Sequence, residues 1–404
     1  MTPPARQTAR TPERNTRRRR ADAQALQHPA ESGIHGLDGG LVVSAGVLIT
    51  LGVVMSYSTT APLALGDRIP PLFLNHLAAL SLGLCAAFVA ALLPIVAWHR
   101  LALPLWLIGV VLLIITALLG VEVNGARRWV DLPGLPFRFQ PVELAKCATL
   151  LAVATVVAPR DGHSELSRGQ IWLAGGLTLP PVALLLLQPD LGNAVLLALL
   201  VVLMLIVAGI RLRALVLPAV LAAIGIASYL ARNPYAMRRV TSFWDPWKDA
   251  QGAGFQLVQS FVAFSQGGLS GEGLGNGRQK LFYLPEAHTD FVLSLVAEEL
   301  GLIGVLVVLC AFTALLVAGT RIARRARARF TLLLAFAATT LLTVPAMVNA
   351  GVVMGLLPTK GLTLPFLSYG GSSLVMCCAV LGLLLGIARR SAPDASARPA
   401  PGRA

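Results

Sequence analysis

Long apolar runs recur ten times along this chain, at about residues 38–57, 72–97, 101–120, 140–158, 171–187, 191–210, 214–231, 290–318, 330–352 and 364–388. A helix that crosses a bilayer needs about 20 mostly apolar residues. In hydrocarbon its backbone groups must be satisfied within the segment. The pattern predicts an all-α integral membrane protein with about ten transmembrane helices. The fifth run is the weakest, being short and close to two prolines. Several others carry internal Pro or Gly, which membrane helices tolerate where neighbours or water satisfy the freed backbone groups.

Charge supplies the orientation. Only 13% of the 404 residues are charged and 56% are hydrophobic, against about 25% charged in a soluble domain. The net charge of +14 raises nucleic acid as a partner, but the basic residues sit in a tail and in short loops, so no nucleic-acid surface is expected. Residues 1–36 hold seven arginines, including Arg17 to Arg20. They read as a disordered cytoplasmic tail, too long and polar for a cleavable signal, that orients the chain in preference to binding a partner or lipid. Nineteen Lys and Arg fall in segments on the tail's side of the membrane and five in the short loops opposite. Both termini are then cytoplasmic. Residues 37–390 form the membrane domain, 391–404 a short unstructured tail, and 232–289 a long extracytoplasmic loop between helices 7 and 8. Asp290 stands at the outer edge of helix 8, where no ATP is available. All five cysteines lie inside apolar runs without metal-ligand spacing and read as buried small hydrophobes.

Three constellations carry chemistry. The first is LPEAHTDFVLSLVAEELG (284–301), which packs Glu286, His288 and Asp290 into five residues before an apolar run. Ionisable groups at a bilayer boundary are costly and mark function by default. His288 and Asp290 are too close for one helical face, no Ser or Cys nucleophile stands beside them, and no HExxH motif occurs. A carboxylate acting as general base remains. The second joins Arg127 and Arg128, suited to a phosphate-bearing head group or to interface anchoring, with Glu143 and Lys146 at i and i+3 on one helix face. The third is LPTKGLTLPFLSYGGSS (357–373), where Lys360 can pair with a carboxylate or a substrate phosphate. Asn349 and Ser368, Ser372 and Ser373 add polar contacts there. Gln188, Pro189, Asp190 and Asn193 form a polar island that water-exposed loop chemistry explains. Within the long loop, FWDPW (243–247) reads as substrate loop or aromatic belt, and GGLSGEGLGNG (267–277) as tight turns, close backbone approach or a hinge.

The segments NGARRWV, FQPVELAK, QKLFYLPEAHTDF, AEELG and LPTKGLTLPFLSYGGSSL resemble the SEDS family of cell-wall polymerases, in the family's order over about residues 37–390. PEAHTDF and PTKGLTLPF look like its cell-division branch rather than its elongation branch. HTDFVL, GAGFQ and PVELAK depart modestly from the usual HTDFIF, GxGYQ and PSELAK, without loss of an ionisable group.

The resemblance implies a ten-helix inner-membrane peptidoglycan glycosyltransferase that polymerises lipid II at the division septum. Carried residue by residue, it implies Asp290 as the essential aspartate and Arg127, Arg128, Glu143, Lys146 and Lys360 as family positions, read with His288 as substrate-binding candidates. It implies a class B penicillin-binding protein as transpeptidase partner, alongside other division proteins and membrane lipids. No nucleotide is required and no definite cofactor is implied; a divalent cation, Mg or Mn, could share the task of offsetting diphosphate charge, and the sequence has no dedicated metal site. A lipid II flippase and a non-catalytic division scaffold are the rival classes. A flippase would concentrate its ionisable groups near the bilayer midplane.

Overall fold

The structure, a computed structural model, describes residues 38–391 apart from 64–68, 124, 159–165, 285–287 and 360. The basic tail, Glu286 and Lys360 therefore lie outside the described residues.

Each of the ten apolar runs carries a helix over most of its length. We number the helices in chain order: α1 Gly39–Thr60, α2 Pro71–Leu92, α3 Ile95–Leu119, α4 Pro141–Val157, α5 Arg168–Leu187, α6 Leu191–Val207, α7 Val216–Arg232, α8 Pro234–Trp244, α9 Phe255–Gly267, α10 Val292–Arg325, α11 Arg329–Val353 and α12 Gly371–Ser391. Among the described residues, eight helices are long and apolar enough to cross a membrane. The remaining two of the ten, α4 and α6, have 17 residues each, about 26 Å at 1.5 Å per residue. The protein is a multi-pass membrane protein. Helices α8 and α9 lie within the long loop 232–289.

Local chemistry sets the boundaries. Asp38 caps α1, its carboxylate accepting from Gly40 N at 3.1 Å and from the Arg321 guanidinium at 3.1 Å. Ser167 and Gln170 form a capping box that starts α5, three residues before its expected start. The expected helix 72–97 is shorter than anticipated. Pro94 lacks the N–H to continue it, so α2 stops at Leu92 and α3 begins at Ile95. The expected tenth helix likewise begins late, at Gly371, because residues 362–370 contain Pro365 and Phe366 with φ 68°. A short antiparallel hairpin, β1 Val121–Val123 with β2 Ala126–Trp129, interrupts the otherwise helical fold.

Helix α4 is the hub, packing against α3, α5, α6, α11 and α12, with most of its side chains buried. Helix α12 packs along α2, and α10 lies between α1 and α11. The expected burial of all five cysteines holds for Cys377 and Cys378 but not for Cys85 and Cys310, which are exposed. Lipid tails are as apolar as a protein core, so apolar sequence alone cannot place such a residue inside or outside.

Candidate active site

At the end of α4 that begins with Gln140, the bundle holds an open cavity lined by Gln140, Glu143, Lys146, Asn193, Gly361 and Ser373 among others. Its floor is ionic. Lys146 Nζ donates to Glu143 Oε1 at 2.9 Å and to Asn193 Oδ1 at 3.2 Å. The Glu143 and Lys146 side chains are only 11% and 6% exposed. Asn193 in turn donates from Nδ2 to Asp190 Oδ2 at 2.9 Å, and its backbone N–H bonds to Asp190 Oδ1. Asp190 thus caps α6 and anchors the lysine's second acceptor.

This corrects the reading of residues 188–193 as water-exposed loop chemistry. Gln188, Asp190 and Asn193 are 4–6% exposed. Their polarity serves the buried ion pair, and Gln188 Nε2 reaches across to Leu113 O at 2.7 Å.

Asp290 stands at the rim of the same cavity. Gly361 lines it, and a Cβ on Gly361 would lie 2.7 Å from Asp290 Oδ2. A side chain at Gly361 would therefore displace the Asp290 carboxylate from its present position. The segment after Gly361 is tied down by its polar side chains. Buried Asn349 on α11 donates from Nδ2 to the carbonyls of Asp290 and Leu362, both at 2.7 Å. Ser368 Oγ donates to Thr289 O and accepts from Leu364 N, while Tyr369 N donates to His288 O at 2.8 Å. Gln140 N donates to Ser372 Oγ, which donates to Arg138 O. The His288 and Tyr369 rings are 5.8 Å apart. Burial raises the Tyr369 phenol above its ordinary value, opposed by a hydrogen bond with the Asn75 side chain.

The structure therefore places Glu143 and Lys146 in the cavity lining and Asp290 beside Gly361, which also lines it, while His288 packs against Tyr369 outside that lining. It does not place the two arginines in the cavity lining. Arg127 donates to Leu118 O at 3.1 Å and pairs with Glu122 at 3.6 Å. Arg128 donates to the carbonyls of Gln188 and Pro189, fixing the turn that leads to Asp190. Trp244 and Trp247 of FWDPW are 80% and 61% exposed, which suits an interfacial belt. Among the described residues, no group of three or more His, Cys, Asp or Glu side chains is placed to hold a metal ion.

Sequence reasoning missed a second ionic cluster. Lys280 Nζ lies 2.7 Å from Glu299 Oε1 and 2.9 Å from Ser58 Oγ, and Glu298 accepts from the backbone N–H of Arg278 and Gln279. Both glutamates are fully buried. The signal was present in the sequence, as two adjacent carboxylates inside an apolar run.

A family model described as cell cycle protein, FTSW_RODA_SPOVE, matches residues 40–392. The chain belongs to the FtsW/RodA/SpoVE family. The resemblance to SEDS proteins is thereby borne out. Among its FtsW/RodA/SpoVE relatives, the chain is 40% identical to the probable peptidoglycan glycosyltransferase FtsW of Pseudomonas fluorescens (strain SBW25), covering 87% of this chain and 88% of that one. It is also 40% identical to that of Coxiella burnetii (strain RSA 493 / Nine Mile phase I), covering 87% and 96%. Two solved structures share the family fold. One is a chain of a peptidoglycan synthase complex, solved for the structural coordination of polymerization and crosslinking: TM-score 0.72, 34% identity, covering 88% of this chain and 98% of that one. The other is RodA, the rod shape determining protein of Thermus thermophilus: TM-score 0.64, 32% identity, covering 89% and 98%.

Proposed function

We propose that this protein is a peptidoglycan glycosyltransferase that polymerises lipid II into β-1,4 glycan strands for septal wall synthesis. The observation that carries the reading is the Asp290 carboxylate at the rim of a cavity floored by the buried Glu143–Lys146 pair. The relatives' function supports it. Residues 37–390 act as the membrane unit, in the cytoplasmic membrane at the septum, with residues 1–36 and 391–404 as cytoplasmic tails. The cavity then opens on the outer face.

Asp290 accepts the proton of the acceptor GlcNAc 4-hydroxyl as that oxygen attacks the donor's anomeric carbon. The new C–O bond forms as the bond to undecaprenyl diphosphate breaks, and the electron pair leaves with the diphosphate. In-line displacement converts an α linkage to a β linkage and needs no enzyme nucleophile. The donor is already activated, so no nucleotide is required. Lys146 and Glu143 orient polar substrate groups, with His288 beside the base. Lys360 is the cation for the diphosphate, whereas Arg127 and Arg128 stand outside the cavity lining, Arg128 acting through the turn it holds. A class B penicillin-binding protein supplies the crosslinking.

The test is glycan formation from labelled lipid II by the purified protein with its partner, the transpeptidase blocked. A positioned base contributes about 10²–10⁴-fold, so Asp290→Asn is expected to lose that factor in turnover while remaining folded. Polymer from Asp290→Asn at the wild-type rate refutes the assignment of Asp290. No polymer from folded wild type refutes the polymerase reading and favours lipid II transport or scaffolding.

A further inference from the structure

The second ionic cluster lies outside the cavity and has no part in the chemistry above. Its place in the chain is informative. Lys280 and Glu299 bracket Asp290, ten residues before it and nine after. Their side chains, 5% and 0% exposed, meet at 2.7 Å. The pair therefore closes the base of the segment that presents Asp290.

Further contacts harden this closure. Helix α10 is broken at Gly301, with φ 66° and ψ −164°. A break orphans the carbonyls before it and the amides after it. The glycine-rich stretch 267–277 fills both needs. Glu272 N and Gly273 N donate to the carbonyls of Glu298 and Glu299, while Leu302 N and Ile303 N donate to those of Gly268 and Leu269. Such contact leaves no room for side chains. A Cβ would lie 1.8 Å from Ala297 O at Gly267 and 2.2 Å from Glu299 O at Gly271. Glu299 Oε2 also accepts from Gly275 N at 3.0 Å, and Ser58 Oγ on α1 lies 2.7 Å from both carboxylate oxygens. The short half-helix 292–300, whose first turn follows Asp290, is thus clamped at its far end to α1, to the glycine loop and to Lys280.

We infer that Lys280 and Glu299, with Ser58, are positioning residues that fix Asp290 at the cavity rim. The inference rests on the glycosyltransferase reading for its kinetic consequence but not for its structural one. Neither side chain touches the cavity, so binding is expected to survive their loss while the geometry of proton transfer does not. A misplacement of about 1 Å can cost about 10²-fold in rate.

The experiment compares wild type, Glu299→Gln, Lys280→Met and Lys280→Arg in complex with the transpeptidase partner. Hydrogen exchange is followed across residues 288–296, together with kcat and KM for lipid II. Asp38→Asn, which breaks the ion pair between buried Asp38 and half-exposed Arg321 at the other end of α1, is the control for lost stability alone. Glu299→Gln and Lys280→Met are expected to speed exchange in 288–296 and lower kcat about 10- to 100-fold, with KM within about twofold. Lys280→Arg is expected to keep part of the activity. Should a single variant fail to fold, Lys280→Met/Glu299→Met, which strands no charge, carries the same comparison. Unchanged exchange overturns the inference, as does faster exchange with kcat intact, or a loss no greater than that of Asp38→Asn. If wild type itself makes no glycan, the polymerase reading fails, and the exchange data alone decide whether the pair holds the segment.

Discussion

Replacing Lys146 by Met separates what the floor of the cavity does for stability from what it does for turnover. Lys146 Nζ makes two charge-assisted contacts, to Glu143 and Asn193, and each such bond is worth about 1.5–3 kcal/mol. The Glu143 side chain is 11% exposed, so the single change strands a nearly desolvated carboxylate. The expected loss is about 3–5 kcal/mol, the range for breaking one side of a buried pair. Glu143→Leu strands the lysine and is expected to cost a similar amount. The double variant strands neither charge and is expected to be neutral to about 4 kcal/mol more stable than wild type. The coupling energy should then far exceed the roughly 0.5 kcal/mol of independent sites. Unfolding midpoints in detergent read stability, and initial rates of glycan formation read turnover. If the pair orients substrate, the double variant recovers its fold and stays inactive. A double variant that regains wild-type turnover along with stability refutes a substrate role and leaves the pair as a packing element.

Two further outcomes are expected. Gly271→Ala places a Cβ 2.2 Å from Glu299 O at a residue with φ 81°; it should destabilise the protein by at least about 1–3 kcal/mol, and a thermal midpoint equal to wild type would contradict the close approach described here. A membrane-soluble maleimide should label Cys85 and Cys310, which are exposed, far faster than Cys377 and Cys378, which are buried. Peptide mapping of the labelled protein reads the order, and equal rates would contradict the packing of α12 on α2.

Much of the fold was legible because apolar length is a local property: each run of about 20 residues announces its own helix. Glu143 and Lys146 were legible for a similar reason, since a spacing of three places them on one helix face. What stayed hidden depends on tertiary contact. Asp190 and Asn193 read as loop residues because nothing in QPDLGN reports that α4 covers them. The Lys280–Glu299 pair spans 19 positions and follows no periodicity. Gly301 gave no sign of breaking α10, because isolated glycines are common inside membrane helices. The break became visible only through the loop that satisfies it.

These hidden features share one cause. The candidate site is assembled where the backbone leaves the helix: at the turn 188–190, at the entry to α10, and along 361–370. In hydrocarbon such backbone is tolerated only when buried in protein or lining a cavity. Here each departure is satisfied by a side chain that would otherwise be an unexplained polar residue in an apolar bundle: Arg128 for the carbonyls of Gln188 and Pro189, Asn349 for those of Asp290 and Leu362, Ser368 for Thr289. Irregular backbone lets a carboxylate reach a cavity from beside a half-helix whose N-terminal end favours negative charge. A continuous helix through residues 288–296 would have given its inward positions to packing. The polar residues spread over the third constellation and the island at 188–193 are thus the supports of one site, with Asp290, Glu143 and Lys146 as the groups they hold in place.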